Sequence, residues 1–158
     1  MDIATALALA FAIGLIAGLR SMTAPAVVSW AAQWKWLDLG QSQLAFLSST
    51  AALYIFTAGA VAELITDKLP KTPRRTEALG LIARFALGGL SGAALSAAAN
   101  QSVVLGAVLG GVGGVAGGFA GYAARTRLVK LLRVPDPVVA LMEDAVAIGG
   151  GFFLVSRF

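Results

Sequence analysis

Acids and arginines set inside apolar stretches constrain this chain more than any other feature. Glu63, Asp67, Arg84, Glu143 and Asp144 all lie within or at the edge of five long runs otherwise rich in Ala, Gly, Leu, Val and Ile. A charged side chain at the centre of a bilayer costs roughly 2.5–3.5 kcal/mol on insertion scales. A chain keeps such residues where they face a bundle interior, a water-filled cavity or a partner charge. The pattern therefore implies a polytopic membrane protein with a polar interior. Only 13% of the 158 residues are charged and 58% are hydrophobic, whereas soluble domains carry about 25% charged residues. The runs are too long and too unalternating for membrane β-strands. The expected fold class is all-α integral membrane: one transmembrane domain over residues 1–158, a bundle of about five helices.

The expected spans are 2–24, 43–67, 77–99, 102–124 and 137–155. The first is read as a retained span rather than a signal peptide, because no basic cluster precedes it and no clean cleavage site follows. Pro25 is expected to interrupt it, since proline lacks an N–H and clashes with the preceding turn. The tryptophan-rich stretch Trp30, Trp34, Lys35 and Trp36 then reads as an interfacial helix or a re-entrant turn. The N-terminal segment is thus broken or re-entrant. Asp67-Lys68-Leu69-Pro70 ends the second span, Thr76 is placed to cap the third, and Asn100-Gln101-Ser102 makes a tight turn. Pro137 suits the first turn of the fifth.

Basic residues cluster in 68–76 (Lys68, Lys71, Arg74, Arg75) and 125–136 (Arg125, Arg127, Lys130, Arg133). The positive-inside rule makes both loops cytoplasmic in a bacterial inner membrane. Five spans then leave the first residue inside and the last outside, unless residues 1–36 form a re-entrant hairpin. The net charge of +4 follows from this asymmetry and does not imply nucleic acid as a partner. Membrane lipids are the expected surroundings.

Gly106, Gly110, Gly114 and Gly118 recur every four residues in the fourth span, with Gly113, Gly117 and Gly121 on an adjoining row. Such a glycine zipper lets another backbone approach closely. It places this helix at the bundle centre or at a dimer axis, and a homodimer is the expected assembly. Gly88 and Gly92, and Gly14 and Gly18, offer matching small faces. Leu64-Ile65-Thr66-Asp67 is similar to Leu141-Met142-Glu143-Asp144, which raises an inverted repeat of the kind found in transporters. Against it, Asp67 ends its span while Asp144 lies about two turns into its own.

Two polar constellations remain. Glu63 and Asp67, four apart, share a helix face, and Arg84 is the expected partner of Glu63 at similar depth. Together with Glu143 and Asp144 they form a candidate substrate- or ion-binding cluster, with a structural ion-pair network as the plain alternative. Arg20, Ser21 and Thr23 form the second, suited to phosphate or another anion. The plain reading there is an arginine snorkelling to headgroups.

GLRSMTAPAVV at 18–28, AELITDKLPKTPRR at 62–75 and the glycine-rich span before the late Glu-Asp pair resemble a family of small bacterial inner-membrane proteins defined only as a domain of unknown function. The resemblance covers most of the chain and implies attention to Arg20, Ser21, Glu63, Asp67, Lys68, Glu143 and Asp144, without an activity. Arg20-Ser21-x-Thr23 and Glu63-x-x-x-Asp67 are also similar to the phosphate loop and glutamate pair of integral-membrane undecaprenyl-pyrophosphate phosphatases. The glycine-proline lead into that loop is missing here.

These readings point to a small transporter, channel or flippase with an ion or lipid-phosphate substrate. The alternatives are a non-transporting scaffold, a lipid-phosphate enzyme and a sensor of membrane or ion state. The chain has no His and no Cys, which disfavours an enzyme. No cofactor is expected, and no metal-ligand motif appears.

Overall fold

A computed structural model describes residues 1–40, 42–67 and 77–158. The helices are α1 Ile3–Leu19, α2 Thr23–Gln33, α3 Thr50–Thr66, α4 Ala78–Ala98, α5 Val103–Leu132 and α6 Asp136–Val155, with one 3-10 turn at Ala45–Ser48. Among them α4, α5 and α6 are long and apolar enough to cross a membrane, and α1 and α3 are shorter apolar helices. Lys68 and Thr76, and with them the expected loop 68–76, lie outside the described residues.

Local chemistry sets the ends. Asp2 caps α1 by accepting from the Thr5 amide (3.0 Å) and hydroxyl (2.6 Å). Those bonds, the hydroxyl's first, hold its carboxyl below the ordinary aspartate range. Ser49 caps α3 through the Ala52 amide and Ser102 caps α5 through the Leu105 amide. Asn100 and Arg133 take left-handed conformations after α4 and α5, and Pro137 sits in the first turn of α6.

Three boundaries depart from the sequence reading. The first run breaks at Arg20–Met22, before Pro25, which sits in the first turn of α2 where a missing N–H does no harm. The second span is shorter than 43–67, because Ser49 caps a helix that starts only at Thr50. The basic segment expected as a loop from 125 is helical to Leu132. Arg, Leu and Lys are good helix formers, and nothing breaks the run before Pro135.

The helices alternate in direction. Ala10 of α1 lies beside Gly92 of α4 and Gly106 of α5, and Gly18 lies beside Gly117. α1 and α5 therefore run together, with α4 antiparallel. Trp30 of α2 donates to Thr57 of α3 at 3.1 Å, while Ser21, just before α2, meets Glu63 near the end of α3. Those two are antiparallel as well. Val27 of α2 packs on Gly151, and Trp34 stacks on Phe152 of α6. α1 and α2 thus form a hairpin that returns to the end where it began. Met1 and Phe158 lie at that same end, not at the opposite ends that five spans would require.

The glycines set the packing at the centre. α5 lies between α1 and α4, and a Cβ at Gly110 would overlap the Gly88 carbonyl, one at Gly114 the Arg84 carbonyl, one at Gly117 the Leu15 carbonyl. Gly14, Gly18, Gly88 and Gly92 present their own bare backbones in return. The second layer is a cluster of Val27, Val28, Ala31 and Leu47 with Ile13, Ile16 and Leu95.

Two substitutions separate this packing from mere glycine content. Gly114→Leu lowers the melting temperature in detergent strongly, at or beyond the upper end of the roughly 1–3 kcal/mol that overpacking costs. Gly149→Ala, with no atom within 4 Å of the new Cβ, leaves it unchanged or raises it. Equal effects in circular-dichroism melts would contradict this account of α5.

Candidate functional site

The break between α1 and α2 is the polar centre of the molecule. A helix that stops leaves its last carbonyls and first amides without partners. Here charged side chains from other helices supply them. Arg84, near the start of α4, donates from Nε to the Gly18 carbonyl at 2.9 Å and from Nη1 to the Gly80 carbonyl at 3.0 Å. Its stem passes Gly118, where a Cβ would lie 3.0 Å from Arg84 Cδ. On the other side of the break, Glu63 accepts from the Ser21 amide (2.9 Å), the Ser21 hydroxyl (2.8 Å) and the Met22 amide (2.8 Å). α2 has no capping side chain of its own. A cation thus meets the negative end of the α1 dipole and an anion the positive end of α2. Gly59, one turn before Glu63, brings α3 close, with Met22 Sδ 3.2 Å from where its Cβ would be.

Arg20 sits in the break itself with extended backbone and no exposed surface. Its Nη1 pairs with Asp67 Oδ2 at the end of α3. Its Nε donates to Asp144 Oδ1 of α6 at 2.6 Å, and Nη2 lies 2.5 Å from the same oxygen. Nη2 nonetheless has no well-directed hydrogen bond, and neither do the buried hydroxyls of Thr23, Ser29 and Ser96. A buried guanidinium without partners would be untenable, so α3 and α6 are tied to the break through this one residue.

The expected residues therefore gather differently from the expectation. The acid cluster and the Arg20-Ser21-Thr23 group, read as separate, are one site. In place of a Glu63–Arg84 pair, Glu63 bonds the start of α2 and Arg84 the end of α1. Asp67 and Asp144 converge on Arg20. Glu143 diverges, as adjacent helical residues must, and its Oε2 lies 3.7 Å from Arg125 Nη1. Arg125 also grips Asp136 with two bonds of 2.8 and 2.5 Å. Beside this pair a cleft of about 200 Å³ opens between Leu19, Gly121, Leu128, Met142 and Val146. Gly106, Gly110, Gly114 and Gly118 hold α5 against α4 and carry no polar chemistry. Among the described residues no group of His, Cys, Asp and Glu could hold a metal.

What the sequence reading missed is that Arg20 is the hub. One signal was available. Arg20 has no acid three or four residues away on its own helix, so a buried Arg20 had to find carboxylates on other helices.

A family model described as a domain of unknown function, DUF4126, matches residues 7–156, and the chain belongs to that family. No curated protein and no solved structure matches it.

The Arg20–Asp144 tie predicts strong coupling. Arg20→Met and Asp144→Asn each destabilise the protein by about 3–5 kcal/mol, the cost of orphaning one partner of a buried pair. The double variant loses less than the sum by about 1 kcal/mol or more. Additive losses in a detergent-unfolding cycle would show that the two do not act together.

Proposed function

We propose that this protein is a small multi-pass transporter, channel or flippase of the bacterial inner membrane, and that the Arg20 site is its working part. One observation carries the reading: a helical hairpin that turns back at a fully buried arginine, with acids from two other helices drawn onto the turn. Irregular backbone at membrane depth is tolerated where it is buried in protein or lines a cavity. Broken helices whose ends face the substrate recur in transporters, and ionisable residues inside a membrane pair with one another and mark ion or substrate paths.

In this reading the end bearing Asp67, Glu77 and the basic C-terminal part of α5 is cytoplasmic. Met1 and Phe158 then both face outward. The glycine rows of α5 act as a zipper within one protomer, since α1 and α4 already occupy them. A homodimer would form through the lipid-facing sides of α3, α4 or α6. The two halves α1–α3 and α4–α6 run in opposite directions, which agrees with an inverted repeat in topology although their helix lengths differ.

A scaffold is the second reading, favoured by the extent to which the charges satisfy one another. Flux separates the two. In proteoliposomes under an imposed ion or proton gradient, wild-type protein passes ions faster than empty vesicles. Asp67→Asn, which also removes a carboxylate from Arg20, loses that flux in preparations that circular dichroism shows to be folded. Wild-type flux no greater than that of empty vesicles, with the variant equally inert, leaves the scaffold.

A further inference from the structure

The donors at the break outnumber what they hold. The start of α2 offers the Ser21 amide, the Ser21 hydroxyl and the Met22 amide, all directed at the Glu63 carboxylate. Thr23, the first residue of α2, is 97% buried, and its hydroxyl has no partner. Side chains lean toward the N-terminus of their helix, which tilts the Thr23 side chain back toward the break. Arg20 Nη2 is buried there too, near Asp144 but without a directed hydrogen bond. All five groups can donate. A positive helix end, a guanidinium and two hydroxyls form a recognition set for an oxyanion.

Glu63 now fills that place. It belongs to a different helix and is only half-buried. The charge balance favours exchange over addition. Among the described residues, three carboxylates, Glu63, Asp67 and Asp144, stand beside Arg20 and Arg84. An incoming anion that joined them would add its full charge to theirs, whereas one that replaces the Glu63 carboxylate adds only its charge beyond one. We propose that the break at Arg20–Thr23 is an oxyanion-binding site, that Glu63 is its internal occupant, and that the ligand is a phosphate or phosphate monoester exchanging with the Glu63 carboxylate. Phosphate suits the set better than a carboxylate because its additional oxygen can take the Thr23 hydroxyl and Arg20 Nη2. This rests on the transport reading only for its purpose. Binding is measured apart from flux, so saturable binding without flux removes transport and keeps the site.

The test uses the full chain in nanodiscs. One arm adds inorganic phosphate to phosphatidylcholine discs. The other uses discs doped with phosphatidic acid, so that a free anion and a lipid headgroup give different answers. The readout is saturable binding by calorimetry for the first arm and retained lipid by mass spectrometry for the second. Glu63→Gln removes the competing charge and is expected to tighten binding in one arm about tenfold or more, given what like charges cost at close range. Adding Thr23→Val to Glu63→Gln returns binding to the wild-type level or below. If Glu63→Gln does not fold, Glu63→Asp serves, because the shorter side chain withdraws the carboxylate from Ser21 and Met22 and is expected to tighten binding in the same direction. No saturable binding in either arm by a folded Glu63 variant overturns the proposal. So does binding that ignores Thr23→Val, which would mark non-specific attraction to surface cations, and a break that holds only water gives the first of these results.

Discussion

The structure depends on how one helical hairpin satisfies the backbone at its turn. Where α1 stops and α2 begins, carbonyls and amides lose their helical partners inside an apolar bundle, and a buried polar group left without a partner costs about 1–3 kcal/mol. Arg84 takes the Gly18 carbonyl, Glu63 takes the amides of Ser21 and Met22, and Arg20 fills the gap with its own charge. The two arginines need carboxylates and carbonyls around them, and Glu63 needs donors. That need brings α3, α4 and α6 to the same point. The break is thus a junction, and the remaining helices are arranged about it.

Glycine packing decides where the junction sits. α1, α4 and α5 meet backbone to backbone, so their relative heights are set within a fraction of a helical turn. Gly18 lies beside Gly117 at the level where Arg84 crosses Gly118. A side chain at Gly18 or Gly117 would move α1 against α5 and carry the Gly18 carbonyl away from Arg84. Close packing and the polar site are therefore one arrangement, and neither can shift without the other.

Much of the bundle was legible from residues alone. Apolar runs located the helices, Asn100 and Pro137 marked turns, and glycine every four residues identified the central helix and its matching faces. The residues of the site were legible as well, because charge is rare in such runs. Their partners were not. Spacing along a helix gives depth but neither azimuth nor neighbour order. Glu63 and Arg84 share a depth, yet the broken segment lies between them and takes both. Arg20 and Asp144 are 124 positions apart, beyond any local pattern. The break itself was displaced because Pro25 looks like an interruption and serves instead as a first-turn residue. The helical continuation of α5 was hidden by its basic residues, which read as loop from charge and as helix from propensity.

The helices are unequally held. α1, α4 and α5 form a plate joined closely from Gly106 to Gly118 of α5, whereas α3 packs chiefly on α2 and the short turn before it. Yet α3 carries both Glu63 and Asp67, and much of its apolar surface, including Tyr54, Ile55 and Ile65, faces outward. Its inner end is moored by charge more than by buried area. Apolar contact gives way gradually as surfaces part, but a carboxylate either meets its donors or does not. The junction therefore behaves as a two-point latch on a loosely hung helix: neutralising or replacing both carboxylates would free the end of α3 from the break while the glycine plate stays closed.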